Sequence, residues 1–105
     1  MRKVAILGIG QIPIDEHWDK SLRHLAGEAV LAALADARIE PPQVESIYVG
    51  NMLSGSLNKQ ENIGALIADW VGMRGIESTK IEAACGSGAP TPALTLGAAR
   101  RAARR

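Results

Sequence analysis

Apolar positions change their period several times along the chain, and each change predicts a new element. Residues 3–9 read Lys-Val-Ala-Ile-Leu-Gly-Ile, an almost unbroken apolar run that closes on Gly8 and Gly10. A run of this kind predicts a strand covered on both faces. Residues 11–20 mix Ile, Pro and charge without a period and read as a loop. From Ser21 onward, Leu22, Leu25, Ala26, Ala29, Val30, Ala33 and Leu34 recur at three and four, with Arg23, Glu28 and Asp36 between them. That spacing predicts an amphipathic helix with Ser21 as its N-cap. Pro41 and Pro42 forbid its continuation, so it ends at about residues 38–40.

Residues 44–49 contain Ile47, Tyr48 and Val49 and stop at Gly50-Asn51, which predicts a second strand opening into a loop. The Gly/Ser/Asn-rich stretch 51–58 reads as that loop. Ile63, Leu66, Ile67, Trp70 and Val71 then resume the helical spacing up to Gly72, giving a second helix. Residues 79–84 alternate weakly and form a third strand, followed by a tight turn at 85–88 and an Ala- and Leu-rich segment read as a further helix. The expected fold is α/β, with strands alternating with helices in a mainly parallel or mixed sheet. There is no internal repeat and no sign of a second compact domain.

Composition narrows the picture. Of the 105 residues 47% are hydrophobic but only 3% aromatic, with no Phe, so the core must be built from Ala, Val, Ile, Leu and Met. The net charge of +1 and the lack of a basic stretch interleaved with aromatics argue against nucleic acid as a partner. The first apolar run is too short for a signal-peptide core or a bilayer span, so no membrane partner is expected. A single cysteine excludes an internal disulfide and points to a reducing compartment, hence a cytoplasmic location.

Two glycine-containing turns carry candidate chemistry. Gly8-Ile-Gly10 follows a predicted strand, as a dinucleotide fingerprint would. However, Pro13 occupies the place of the third glycine, and the bland reading is a strand end that turns tightly. Cys85 lies in Ala83-Ala-Cys-Gly-Ser-Gly88, between a predicted strand and a predicted helix. Amides and the dipole at a helix start favour a thiolate, and glycines let a bulky thioester approach. The Cys85 N–H is placed to contribute to an oxyanion hole. The alternative is that Cys85 is one more small buried apolar residue, the usual state of an unpaired cysteine.

The chain resembles the thiolases, the acetyl-CoA acyltransferases, and especially their archaeal and sterol-carrier-protein-like branch. The resemblance rests on Val4-Ala-Ile-Leu-Gly-Ile-Gly-Gln-Ile-Pro13, Val49-Gly-Asn-Met-Leu-Ser-Gly55, Gly64-Ala-Leu-Ile-Ala-Asp69 and above all Glu82-Ala-Ala-Cys-Gly-Ser-Gly-Ala89. It implies a partial thiolase-like fold and makes Cys85 the catalytic residue that takes an acyl group from acyl-CoA, in acyl transfer of the acetyl-CoA C-acetyltransferase type. It further implies acyl-CoA and CoA as substrates rather than a bound cofactor, no metal, and a homo-oligomer or pairing with a thiolase-like chain. In the family the histidine that activates the sulfur and a second, acid/base cysteine lie in the carboxyl-terminal half. His17 and His24 match neither and are expected to face solvent.

The resemblance covers residues 1–89, and residues 90–105 form a separate Pro/Ala/Arg-rich tail. Residues 1–89 hold eight Lys/Arg against eleven Asp/Glu, whereas the tail adds four Arg and no acid. Pro92 would break a helix there, and Arg100, Arg101, Arg104 and Arg105 would need partners if buried. A frameshifted or truncated reading frame is one expectation for this tail, and a basic tail for an acidic partner is the other. On the first, the chain is an inactive fragment of an enzyme. The reading from another class is a non-catalytic association module.

Overall fold

The computed structural model describes residues 3–88. Within it the element order is α1 (Leu22–Ala37), a short 3-10 turn (Pro41–Gln43), β1 (Ser46–Gly50), α2 (Ser54–Asn58), α3 (Ile63–Trp70) and β2 (Glu77–Ile81). The expected α/β class is found, and the two strands pair in parallel with Ser46 opposite Glu77 and Gly50 opposite Ile81. The helix expected after residue 88 and the tail lie outside the described residues.

α1 forms where the three-four spacing put it. Ser21 stands at its N-cap in extended conformation, and Arg38 closes it in the left-handed region, with its N–H on the Ala35 and Leu34 carbonyls. The N-terminal end is tied by His24, whose Nδ1 lies 2.7 Å from Ser21 Oγ and 3.4 Å from Ser21 N. Pro41 and Pro42 enter the 3-10 turn, where missing N–H groups cost little.

A parallel pair needs a crossover, because the second strand must begin at the same end as the first. Here α2 and α3 supply it. α3 carries the most buried side chains: Ile63 is 1% exposed and Ile67 3%. Gly64 brings the helix close to the sheet, where a Cβ would sit 3.3 Å from the Thr79 nitrogen. Leu34 of α1, Ala68 of α3, Val71 and Met73 form the central cluster, with Val30, Ile39, Val44, Ile47 and Ile76 packed around it. No aromatic ring enters this cluster among the described residues. Trp70 stays partly exposed and carries the Arg23 guanidinium 4.7 Å from its ring centre and the His24 ring edge-on at 4.8 Å.

Two expectations are corrected. Residues 3–9 form no strand. Instead the segment runs along α1, with the Ile9 N–H donating to an Asp36 carboxylate oxygen at 2.9 Å. Gly8 and Gly10 lie so close to α1 that a Cβ on either would run into the Ala33 or Ala29 carbonyl. With the backbone turned to the helix, the side chains point away from it, and Ile6 is 86% exposed. The apolar run therefore identified a segment that seeks cover, while the glycines record a close approach to a helix instead of a turn. Second, the stretch 51–58 is not all loop, because Asn51 Oδ1 accepts the Ser54 N–H at 2.7 Å and starts the one-and-a-half-turn helix α2.

Two outcomes follow from this packing. Ile63→Ala should lower unfolding stability by about 3 kcal/mol, while Leu57→Ala, at an exposed site, should change it by less than about 0.5 kcal/mol, both read from urea denaturation midpoints. Gly10→Val should detach the segment before α1 and speed proteolytic cleavage within residues 3–20, leaving the protection of α3 amides from hydrogen exchange close to that of the unaltered chain.

Candidate active site

Parallel pairing brings the C-terminal ends of β1 and β2 to one edge, the place where open α/β sheets present their binding loops. The Asn51 N–H donates to the Ile81 carbonyl at 3.0 Å and carries the pairing one step past β1. From this edge, residues 51–54 turn into α2 and residues 82–88 turn back on themselves around Cys85.

That second turn is fastened by its own backbone and one hydroxyl. The Gly86 N–H donates to the Ala83 carbonyl at 2.9 Å and the Ser87 N–H to the Ala84 carbonyl at 3.1 Å. Ser87 Oγ accepts the Ala83 N–H at 2.9 Å and donates to the Ala84 carbonyl at 2.7 Å. Ser87 is 6% exposed, so its hydroxyl works away from competing water. Ala84 sits at φ 49°, in the left-handed region. Between the buried Ser87 and the strained Ala84, the Cys85 thiol is free and exposed.

The exposure of Cys85 removes one of the two readings that the residues alone left open, because it is not a buried small apolar side chain. The turn geometry expected at 85–88 is present. The helix whose start was expected to favour a thiolate falls outside the described residues. Among the described residues, a Cβ on Gly88 would meet nothing within 4 Å, and one on Gly86 only the Ala83 carbonyl at 3.3 Å.

The other candidates separate from this site. His17 Nε2–H donates to the Pro13 carbonyl at 2.9 Å, and His24 is occupied with Ser21 and Trp70, so neither is tied to the Cys85 turn. Gly8 and Gly10 lie against α1 and not at a helix N-terminus. No grouping of three or more His, Cys, Asp or Glu suited to a metal occurs among the described residues. A concavity of about 240 Å³ between α1 and α2, lined by Ser21, Leu22, Arg23, Asn58, Gln60 and Leu66, does not include the sulfur.

Three residues of the site were not singled out by sequence reasoning. Ser87 could have been found, since a serine two places after a cysteine in a glycine turn is well placed to bond neighbouring backbone groups. Asn51 carried the same signal, as an Asx residue after a strand. Ala84 carried none, because alanine does not announce a left-handed conformation.

Comparison with known proteins identifies the family. The family model described as the thiolase N-terminal domain matches residues 4–100. The acetyl-CoA acetyltransferase of Methanothermobacter thermautotrophicus is 48% identical over 88 residues, covering 84% of this chain and 23% of that protein. The acetyl-CoA acetyltransferase of Methanocaldococcus jannaschii is 46% identical over 88 residues, covering 84% of this chain and 22% of its own length. The chain thus spans about a quarter of the length of these curated relatives. No helix among the described residues is long and apolar enough to cross a membrane. Matched over nearly its whole length by the family model, and over most of it by two such relatives, the chain belongs to the thiolase family, within its N-terminal domain.

Proposed function

We propose that this chain carries the acyl-accepting half of a thiolase-type acyl-CoA acyltransferase, with Cys85 as the nucleophile. The observation that carries this reading is an exposed thiol on a tightly bonded turn at the C-terminal edge of a parallel strand pair. That turn lies inside the segment matched to the thiolase N-terminal domain.

In the acylation step the Cys85 thiolate attacks the thioester carbonyl of an acyl-CoA. A new C–S bond forms, the carbonyl electrons move onto oxygen, and their return expels CoA as its thiolate. The Gly86 and Ser87 amides are committed to the turn, which leaves the Cys85 N–H as the candidate donor of this segment to the developing oxyanion. A second acyl-CoA carbanion, or CoA in the reverse direction, then takes the acyl group from the sulfur. Activation of the thiol and proton delivery to the leaving group call for a base and an acid, roles that neither His17 nor His24 is placed to fill. The chain by itself is therefore read as competent for slow acylation and deficient in turnover. Acyl-CoA is the substrate, and no resident cofactor is invoked.

A second reading, as an association module, is favoured by one observation. Ile6, Leu7, Ile14 and Trp18, on the segment before α1, are 86%, 68%, 95% and 89% exposed. An apolar surface of this kind invites cover from a second copy or a thiolase-like partner.

Radiolabelled acetyl-CoA should transfer its acetyl group to the intact chain in a hydroxylamine-sensitive bond and leave Cys85→Ala unlabelled. Equal labelling of both would remove the role given to this sulfur. Light scattering of the purified chain should report a dimer or larger, and a stable monomer across micromolar concentrations would dismiss the association reading.

A further inference from the structure

Three residues other than glycine have positive φ among the described residues: Arg38, Lys59 and Ala84. Arg38 and Lys59 are the C-caps of α1 and α2, where a left-handed residue satisfies the last carbonyls of a helix. Ala84 ends no helix. Its neighbours in the same turn include two glycines, which adopt this region without penalty, yet the left-handed position has gone to an alanine, and the next residue is the exposed cysteine.

A conformation of this kind persists only where its surroundings impose it. The surroundings here are specific. The carbonyl of Ala84 is held twice, by the Ser87 N–H at 3.1 Å and by the Ser87 hydroxyl at 2.7 Å. The residue before it is held at both ends as well, since the Ala83 N–H reaches Ser87 Oγ at 2.9 Å and the Ala83 carbonyl takes the Gly86 N–H at 2.9 Å. Four bonds thus determine the torsions of Ala84, and those torsions in turn set the direction in which the Cys85 Cα–Cβ bond leaves the chain. An alanine adds to this what a glycine cannot: its Cβ removes most other backbone conformations, so that when the turn opens it has fewer alternatives to sample.

We propose that Ala84 is a positioning residue, whose enforced left-handed conformation fixes the Cys85 sulfur on the trajectory for attack on a thioester carbonyl. The inference rests on Cys85 being the acyl acceptor. Orientation matters for that attack, because an error near 1 Å in the placement of a reacting atom is enough to cost orders of magnitude in rate. Attack on iodoacetamide, a small freely tumbling reagent, depends on exposure and ionisation and makes little demand on direction.

The test compares two rates on one sulfur, acylation by labelled acetyl-CoA and alkylation by iodoacetamide, in the unaltered chain and in Ala84→Gly. Glycine at a positive φ relieves strain, so Ala84→Gly should keep or raise the thermal midpoint, which removes unfolding as an explanation. Acylation should fall about tenfold while alkylation across pH 6–10 keeps the same profile. A chain assembled by chemical ligation with the D-enantiomer of alanine at position 84, for which the left-handed region is the favoured one, should recover the original acylation rate. Equal acylation of the unaltered chain and Ala84→Gly overturns the proposal and leaves Cys85 as acyl acceptor. Parallel loss of both rates in Ala84→Gly also overturns it, since the residue would then act on exposure or ionisation. An unaltered chain that iodoacetamide alkylates but acetyl-CoA never labels removes the acyl-acceptor reading, and the role of Ala84 falls with it.

Discussion

The parallel pairing of β1 with β2 is the constraint from which the site follows. Two parallel strands end at the same edge, so the chain leaving each one must turn there, and a crossover has to return it between them. The sequence meets this with α2 and α3, and the crossover is where burial is deepest, at Ile63, Ile67 and Ala68. Gly64 lets α3 settle on the strand it serves, with the Thr79 backbone directly beneath it. Position is thus a consequence of topology: once the strands pair, the turn around Cys85 and the loop around Asn51 share an edge, joined by the bond from Asn51 to Ile81.

Composition explains how the turn does its work. Ala83, Ala84, Gly86, Ser87 and Gly88 leave no large side chain beside the sulfur, so backbone bonds and a single hydroxyl must hold the shape. The only side chain of the turn that is buried is Ser87, and it bonds in both directions. Rigidity and access would conflict if bulky residues provided the packing. Here large side chains are absent from the turn, hydrogen bonds hold its shape, and the thiol is exposed.

What could be read from the sequence tracks how local each feature is. α1, α3 and both strands were legible because periodicity, caps and breakers such as Ser21, Pro41, Pro42 and Gly72 act within a few residues. The segment 3–9 misled, because an apolar run reports the need for cover and says nothing of whether a strand or a helix provides it. Gly8 and Gly10 point to α1 only once α1 is seen beneath them. At the site, the cysteine and its glycines stood out by type, and the family motif around them fixed attention on residue 85. Ser87 acts through bonds that run back to residues 83 and 84, a pattern that small residues permit in many places and that only coordinates distinguish.

The same distinction between local and distant determinants separates the two halves of the proposed chemistry. The bonds that shape the Cys85 turn among the described residues, from the strand end to the Ser87 hydroxyl, lie within residues 77–88 and the strand beside them. Acid and base catalysis differs in kind, since it needs titratable groups within hydrogen-bond reach of the sulfur. Both histidines of the chain are engaged elsewhere, with Pro13 and with Ser21 and Trp70. In the proposed chemistry the turn that presents Cys85 is a problem of backbone geometry, whereas acid and base catalysis is one of bringing remote side chains together.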